Sequence, residues 1–441
     1  RVVPLDEVLA ARPAAPWTRP PLTADDPAIL QLTSGTTGSA KTVRISHANL
    51  AANVEAIKSV TGHSQVHGRI LSWLPLSHDM GLIGTLVMPM SCGRCDVVLS
   101  SPVDYLARPA EWMRQVSRHR ATGTVGPASA YALAARLLAA GPKLDLSSLR
   151  CALCGGEQID PDIMGAFTDA AAAHGMDRGA VLPAYGLAES VVAVTLSPFG
   201  GGLRVDTVDA DVLERDRRAV PVHTDGVRTR RLTRLGPPVA GMKVRVTDPD
   251  SGRPLADRQI GEVQVTGTSL TTGYHGDPAA TAATRTPDGW LRTGDLGYLV
   301  DGELVITGRA KDVIVIAGRN IYPDEVERAA ARAEGVRPGN AVAFACPRPG
   351  ALGSEGLVVA VETRWPDRHD ALRAAVADQV RAALGISPYE VVVLAPGTLP
   401  KTPSGKLQRA EARRLLAPGA AGRAVPYSPH STAANAEPVK I

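Results

Sequence analysis

The sequence has 441 residues, of which 44% are hydrophobic and 21% are charged, a composition typical of a folded globular chain of about three domain-sized units. Its 48 Lys and Arg against 44 Asp and Glu residues leave a formal charge of only +4, too small to indicate a nucleic-acid or membrane partner. It contains no apolar run of the roughly 18 residues that a membrane span needs, and its start does not resemble a signal peptide. We therefore expect a cytoplasmic protein with no nucleic-acid partner and no membrane span.

The first two thirds of the chain alternate strand-like apolar runs with helix-like amphipathic stretches. The strand-like runs are ILQLT, RILSWLP, CDVVLSS, GTVGP and LRCALCGG. Between them lie helix-like stretches such as HANLAANVEAIKSV, GLIGTLVMPM, PAEWMRQVSRHR and ASAYALAARLLAA. Strand–helix alternation predicts a parallel sheet covered on both faces, and hence an α/β fold class with a large N-terminal domain.

The pattern changes twice towards the C-terminus. From about Gly241, the runs KVRVTDPDSGRPL, IGEVQVTG and DGELVITG are separated by Asp, Gly and Pro, which predicts antiparallel hairpins and a β-rich subdomain. After Gly308, shorter strands and helices predict a small α+β unit. Residues 417–441 are rich in Ala, Pro, Ser and Gly and predict a flexible tail.

Five cysteines include two C-x-x-C pairs, Cys92 with Cys95 and Cys151 with Cys154. Such pairs are found in zinc sites, but these two lie farther apart in sequence than the roughly 15 to 20 residues of a zinc ribbon. The second pair also falls in the strand-like run LRCALCGG. Buried or incidental thiols are therefore the preferred interpretation.

A loop rich in Gly and Thr, TSGTTGSAKT, follows the first strand-like run. It nearly matches the P-loop motif G-x-x-x-x-G-K-[ST], but Ala40 stands where the second glycine would be, which weakens a P-loop NTPase interpretation. An ordinary Ser/Thr/Gly turn and a different phosphate loop both remain open for this segment alone. The loop's hydroxyls, its glycines and a lysine would suit a polyphosphate: Thr33, Ser34, Gly35, Thr36, Thr37, Gly38 and Lys41.

Six further motifs follow the loop in order: LSWLPLSHDMGLIG, CGGEQI, PAYGLAES, GWLRTGDLG, GRAKDVIVIAGRNIYPDEVE and LPKTPSGKLQR. With the loop, this set resembles the adenylate-forming superfamily of acyl-CoA synthetases, peptide-synthetase adenylation domains and luciferases. SWLPLSHDMGLIG and AGRNIYPDEVE are most similar to the fatty acyl-AMP ligases. The resemblance runs from about Ile29 to Leu416. It implies a large adenylate-forming domain over residues 1–308, a hinge at 309–312, a small mobile C-terminal domain at 313–416 and a tail at 417–441.

The resemblance also implies a site. The loop residues named above, with Ala40 and Thr42 replacing the family's usual Pro and Gly, would bind phosphates of ATP, and Glu189 would help to hold Mg²⁺. Lys406 and His78 would be catalytic, Lys406 at the α-phosphate and acyl carboxylate, and His78 with Asp79 beside the reacting carboxyl group. Lys311 would mark the hinge. The remaining nucleotide-binding residues would be Gly155, Gly156, Glu157, Tyr185, Gly186, Asp295 and Arg309.

The implied reaction is ATP-dependent activation of a fatty or other hydrophobic carboxylic acid to an acyl adenylate, with release of pyrophosphate. The thiol acceptor would be the pantetheine of an acyl carrier protein. A segment between Glu189 and Gly236 resembles the insertion that in acyl-AMP ligases braces the small domain, although a solvated variable loop is the alternative. Its arginines Arg228, Arg230, Arg231 and Arg234 could contact an acidic carrier protein or form a solvated face.

Three rival interpretations stay open: an acyl-CoA ligase that uses free CoA, a non-adenylating relative that binds an acyl adenylate, and a P-loop NTPase. Compared with the family, the sequence starts close to the phosphate loop. We therefore expect either a shortened large domain or a partner segment that completes it.

Overall fold

The computed structural model describes residues 5–10, 18, 20–33, 41–62, 67–223, 226–347, 355–365, 367–401 and 407–417. Helix α1 (Leu5–Ala10) precedes an antiparallel hairpin of strands β1 (Pro27–Leu32) and β2 (Thr42–Ser46). Helix α2 (His47–Thr61) follows directly, and Ser46 and Asn49 form a capping box at its start. The strand predicted at ILQLT therefore lies in a separate two-stranded sheet, outside the parallel one.

A six-stranded sheet forms the centre of the large domain, in the order β4-β3-β5-β6-β7-β8. Its strands are β3 (Gly68–Ser72), β4 (Cys95–Leu99), β5 (Gly123–Gly126), β6 (Cys151–Cys154), β7 (Val181–Tyr185) and β8 (Thr195–Leu196). Every pairing is parallel except that of β7 with β8. The predicted parallel sheet is confirmed, and the short antiparallel strand β8 closes one edge.

Helices connect these strands. They are a π-helix (Met80–Val87) that runs into α3 (Met88–Cys92), then α4 (Pro102–Ala107), α5 (Glu111–Arg118), α6 (Ala128–Ala140) and α7 (Pro161–Ala172), with 3₁₀ turns at Arg178–Ala180 and Ala188–Ser190. Tyr131 and Phe167 on α6 and α7 are fully buried and lie with ring centroids 4.6 Å apart. The segments SWLPLSHD, CGGE and GLAES follow the carboxyl ends of β3, β6 and β7, the edge at which open α/β sheets bind ligands.

The segment predicted as an insertion contains strand β9 (Val205–Asp209), helix α8 (Ala210–Asp216) and strand β10 (Thr229–Thr233), with β9 and β10 antiparallel. The predicted β-rich subdomain follows as an antiparallel meander. Its elements are β11 (Met242–Thr247), β12 (Gly261–Gly267), helix α9 (Pro278–Ala283), β13 (Leu291–Val300) and β14 (Glu303–Arg309).

A 3₁₀ turn at Ala310–Asp312 leads into the C-terminal unit. Its elements are β15 (Ile314–Ile316), β16 (Arg319–Ile321), α10 (Pro323–Ala330), β17 (Val336–Pro347), β18 (Glu355–Thr363), α11 (His369–Leu384), β19 (Glu390–Leu394) and α12 (Arg409–Leu416). Strand β18 pairs antiparallel with β17 and parallel with β19, and helices pack on this sheet. The unit has an apolar core of its own, centred on residues such as Val359 and Val376. No helix in the described part of the chain is long and apolar enough to cross a membrane.

Candidate active site

Asp295 lies at the centre of a polar cluster between the parallel sheet and the β-rich subdomain. The hydroxyl of Tyr185, at the end of β7, donates to Asp295 Oδ2 at 2.6 Å, and Arg309 Nε lies 2.9 Å from Asp295 Oδ1. Register explains the second contact, because Asp295 on β13 is directly opposite Arg309 on β14. Asp295 is only 7% exposed. The structure thus brings together three residues that the sequence predicted as nucleotide-binding.

The charges of this cluster depend on one another. The Asp295 carboxylate raises the pKa of the Arg309 guanidinium against the opposing effect of burial. Burial raises the pKa of the Tyr185 phenol well above its usual value, and the charge of Asp295 raises it further. Tyr185 therefore stays protonated and acts as a hydrogen-bond donor to Asp295 near neutral pH.

Glu189, in the 3₁₀ turn after β7, lies beside the same cluster. Its Oε1 accepts a 2.7 Å hydrogen bond from the hydroxyl of Tyr274. The Lys41 ammonium lies 4.7 Å from the centroid of the Tyr274 ring, a cation–π distance. Glu189 also adds to the raised pKa of Arg309, so the surroundings of Asp295 and Glu189 form one electrostatic site. This site has a carboxylate, an arginine and a lysine close to one another.

The flanks of the predicted phosphate loop are joined at their base. The backbone N–H and the side-chain hydroxyl of Thr33 both donate to the carbonyl of Lys41, at 2.8 and 3.2 Å. Thr33 and Lys41 are therefore held together at the base of the loop, and the Lys41 side chain lies over the Tyr274 ring. The other predicted residues of this loop, Ser34, Gly35, Thr36, Thr37 and Gly38, lie outside the described residues.

Three of the predicted glycines lie at sharp turns or close backbone contacts. A Cβ at Gly186 would lie 1.6 Å from the carbonyl oxygen of Val192, so only glycine fits between β7 and the turn that follows. Gly156 has φ +79°, a left-handed conformation that favours glycine, and a Cβ at Gly155 would lie 3.4 Å from the carbonyl oxygen of Ala184. These glycines allow the chain to turn sharply at the carboxyl ends of β6 and β7.

The carboxylate of Glu157 has protein partners of its own. It accepts hydrogen bonds from the backbone N–H of Ser129 at 3.1 Å and from the Ser129 hydroxyl at 3.3 Å. Ser129 lies in the first turn of α6, where free N–H groups and the helix dipole favour a carboxylate. Glu157 therefore holds the segment after β6 against the start of α6.

His78 and Asp79 lie at the start of the π-helix that follows β3. His78 Nδ1 is 2.6 Å from Asp79 Oδ1, and the backbone N–H of Met80 donates to Asp79 Oδ1 at 2.7 Å. The His78 side chain is 29% exposed. Among the described residues, no hydrogen bond or ion pair joins His78 or Asp79 to Asp295.

Lys311 stands two residues after the end of β14, the strand that pairs with Asp295. It lies in the 3₁₀ turn that follows. Burial lowers the pKa of its ammonium, the carboxylates of Asp312 and Asp295 oppose that effect, and Arg309 adds to the lowering. The predicted hinge therefore begins within the electrostatic range of the Asp295 cluster. On the far side of the turn, Asp312 pairs with Arg409 at 2.9 Å, which links the turn to α12.

Lys406 lies outside the described residues. Its neighbour Leu407 forms a β-bridge with Lys401. The Lys401 ammonium donates to Asn340 Oδ1 at 2.8 Å. Burial lowers its pKa, and the carboxylates Glu362 and Glu157 oppose that effect. Because Glu157 belongs to the large domain, Lys401 of the C-terminal unit is within electrostatic range of that domain.

The inserted segment contacts the C-terminal unit directly. Arg230 on β10 is 2% exposed; it lies 3.2 Å from Asp324 and 3.4 Å from Glu325, and its guanidinium is 4.1 Å from the Tyr322 ring centroid. Glu214 on α8, fully buried, pairs with Arg319 at 2.6 Å. We call these contacts the brace.

The predicted solvated face is wrong for Arg230, which is buried, whereas Arg231 is half-exposed. Contact of these arginines with a carrier protein stays a prediction. Besides the buried Arg230, Arg228 pairs with Glu214, Arg231 with Asp162, and Arg234 with Asp301 and Glu303. Strand alternation directs Arg230 inwards and Arg231 outwards. All four arginines therefore form ion pairs within the chain, with Arg230 buried and Arg231 at the surface.

Some site residues have no motif that identifies them. Tyr274 is 85 residues from Glu189 in sequence, and Ser129 is 28 residues from Glu157, so only folding brings each pair together. Thr293 carries a weak signal, since it stands two residues before Asp295. Its Oγ1 accepts a 3.1 Å hydrogen bond from the Asp295 N–H.

Comparisons with known proteins agree with the motif order. The profile of the AMP-binding enzyme family matches residues 3–275. The protein Rv1013 of Mycobacterium tuberculosis, named only as a ligase, is 42% identical over 423 residues, which cover 94% of this chain and 76% of that protein. The medium-chain-fatty-acid–[acyl-carrier-protein] ligase JamA of Moorena producens is 35% identical over 413 residues, 90% of this chain and 69% of JamA.

A solved structure from a study of fatty acyl-adenylate ligases of Escherichia coli and Legionella pneumophila superposes with a TM-score of 0.81 at 34% identity, covering 90% of this chain and 71% of that one. The predicted fold class is confirmed by this likeness. Since the profile spans more than half of the chain and two named ligases align with nearly all of it, the protein belongs to the family of AMP-binding enzymes.

Proposed function

We propose that this enzyme activates a fatty or other hydrophobic carboxylic acid with ATP, forming an acyl adenylate and pyrophosphate, and passes the acyl group to the pantetheine thiol of an acyl carrier protein. The observation that carries this proposal is the single site formed by Tyr185, Asp295, Arg309 and Glu189. The name of JamA, with a fatty acid as substrate and a carrier protein as acceptor, supports it.

In the first step, an oxygen of the acid's carboxylate attacks the α-phosphorus of ATP, and the bond from that phosphorus to the bridging oxygen of pyrophosphate breaks. Two anions must approach each other, so positive charge and fixed positioning supply most of the catalysis. The Lys41 ammonium lies over the Tyr274 ring, and the Tyr274 hydroxyl donates to Glu189. Lys41 is therefore the proposed contact for the phosphates of ATP. Lys406 and His78 are the proposed catalytic residues at the α-phosphate and the acyl carboxylate.

Asp295 is the proposed partner of the ribose hydroxyls. A buried carboxylate that already accepts from Tyr185 can accept further O–H donors, because each ionised carboxylate has about four acceptor positions. Arg309 holds the Asp295 carboxylate in place through its contact with Oδ1. A sugar bound to that carboxylate would therefore keep one orientation. The turns at Gly155 and Gly156 bring the backbone after β6 to the same edge of the sheet, where a flat base can approach.

Glu189 is the proposed protein ligand of Mg²⁺. The described residues contain no group of three or more His, Cys, Asp or Glu side chains suited to a metal. This fits Mg²⁺, which usually binds one or two carboxylates and takes its other ligands from phosphates and water. When bound, Mg²⁺ would neutralise charge on the departing pyrophosphate.

The proposed division is a large domain over residues 1–308, a hinge at 309–312, a small domain at 313–416 and a tail at 417–441. Separate apolar cores on either side of the 3₁₀ turn support it, since units with cores of their own can move as rigid bodies once the brace between them opens. Lys311 in that turn would then change its distance to Asp295 as the small domain moves.

The brace supports a carrier protein as acceptor instead of free CoA. Movement of the small domain would have to break a largely buried contact of Arg230 with Asp324 and Glu325 and the pair of Glu214 with Arg319. Such a movement must separate these charges and expose the apolar surface around Tyr322. A partner protein that buries surface of its own can offset such a cost more readily than a small thiol.

The test is ATP–pyrophosphate exchange with a panel of saturated fatty acids, followed by acyl transfer to a pantetheinylated carrier protein or to CoA. We expect exchange that depends on the acid, and carrier-protein loading in excess of CoA thioester. Lys406→Ala should abolish most exchange, while the exposed Lys243→Ala on β11 should match the wild type. Exchange in Lys406→Ala equal to that in Lys243→Ala would refute the role of Lys406. ATP hydrolysis without any acid would support the rival NTPase.

A further inference from the structure

The C-x-x-C pair of Cys92 and Cys95 lies at a junction of two elements on the large domain. Cys92 is the last residue of α3, and Cys95 is the first residue of β4, the strand at one edge of the six-stranded sheet. Gly93 between them has φ +65°, and this left-handed residue turns the chain from helix to strand. Only Gly93 and Arg94 separate the two cysteines, so the turn holds both thiols at the same junction.

This pair differs from the other cysteines in exposure. Cys92 and Cys95 are both partly exposed, while Cys151, Cys154 and Cys346 are buried. Buried thiols are chemically inert, whereas a partly exposed thiol can meet a small reagent. The described residues also show no cluster of ligands that could complete a zinc site around either C-x-x-C pair.

The surroundings of Cys92 affect how easily its thiol ionises. Burial raises the pKa of Cys92 to about 11, and contact with Cys95 raises it further, while the Lys58 ammonium lowers it. Cys92 also lies against sulfur and carbonyl oxygen of Met88, at 3.8 and 3.3 Å. Because burial disfavours the Cys92 thiolate, Cys95 is assigned the first attack and Cys92, at the same turn, the step that resolves the product.

From these contacts we propose that Cys92 and Cys95 form a redox-active dithiol that is converted reversibly to an intrachain disulfide by low-molecular-weight disulfides. The Cys95 thiolate attacks one sulfur of the small disulfide, forming a mixed disulfide and releasing one small thiolate. The Cys92 thiolate then attacks the Cys95 sulfur and releases the second small thiolate. Overall, two protein thiols are oxidised, one small disulfide is reduced to two thiols, and the two protons pass to the leaving thiolates.

The experiment treats the native full-length chain with oxidised glutathione, quenches with acid, and measures intact mass and non-reduced peptide masses. We expect the loss of two hydrogen atoms, a cross-link between positions 92 and 95, and full reversal by dithiothreitol. Cys92→Ser should instead retain one glutathione at Cys95, because the resolving thiol is missing. Cys346→Ser, which removes a buried thiol, should react like the wild type.

Two results would overturn the proposal. One is a stable glutathione adduct on wild-type Cys95, which would mean that Cys92 does not resolve it. The other is an unchanged native mass under conditions in which the urea-unfolded chain reacts fully. Both mass measurements are independent of adenylation. A negative result would therefore refute the redox proposal without bearing on the proposed enzymatic function.

Discussion

Replacing Arg230 with Met should release much of the brace. Met has nearly the same length but no charge, so Glu325 loses its ion-pair partner and Asp324 keeps only Arg328. The Thr307 carbonyl also loses its 2.9 Å donor. Breaking a buried ion pair from one side costs about 3–5 kcal/mol. The side chains of Asp324 and Glu325 are 22% and 12% exposed, so the lower end of that range, about 3 kcal/mol, is expected.

The loss should depend on pH with a definite sign. Burial raises the pKa of Glu325, and Arg230 opposes that effect. Without Arg230, the folded-state pKa rises further above the unfolded value, so the folded protein binds a proton more tightly. The stability of the variant is then greatest at low pH and falls as pH rises through the folded pKa. We expect a larger deficit at pH 8 than at pH 5.

Urea unfolding followed by circular dichroism at both pH values measures this deficit. The matched control is Arg231→Met, since the neighbouring Arg231 is 50% exposed and pairs with Asp162, which is 52% exposed. Such a surface pair is worth about 0–1 kcal/mol. Arg230→Met with Glu325→Gln should recover part of the loss, because no carboxylate is left unpaired at position 325. Equal stability of Arg230→Met and Arg231→Met would refute the buried brace.

Two further variants test the site and its scaffold. Asp295→Asn should lower ATP–pyrophosphate exchange about 10- to 100-fold, because a hydrogen bond to a charged group is worth about 1.5–3 kcal/mol. The control is Asp288→Asn, which removes an exposed ion pair with Arg245. Equal exchange rates of the two variants would contradict the role of Asp295. Gly186→Ala should destabilise the fold by at least about 1–3 kcal/mol because of the 1.6 Å contact with the Val192 carbonyl. The control is Gly165→Ala in α7, where the added Cβ would meet open space and the change should be neutral or stabilising by up to about 1 kcal/mol. Equal melting temperatures of the two variants would show that the backbone at Gly186 shifts to accommodate the Cβ.

Local patterns in the chain were enough to predict several features. Alternation of apolar runs predicts the parallel sheet, because strands buried on both faces need continuous apolar segments. Motif order predicts the family, and the TGD and PAYG segments predict Asp295 and Tyr185 as neighbours of one ligand. ILQLT was assigned correctly as a strand, but its antiparallel partner β2 lies beyond a loop that periodicity does not describe.

Other features depend on contacts between residues far apart in the chain. In TRRLT, every second side chain faces the same way, but sequence alone does not say which face the C-terminal unit covers. Arg230 is buried because Asp324, 94 residues later, lies against it, and Tyr274 reaches Glu189 across 85 residues. Such pairings gain their energy from exclusion of water and from charges that meet only after folding. The linear order therefore specifies the elements and the chemistry they carry, and three-dimensional packing selects which charges act on a ligand and which hold the domains together.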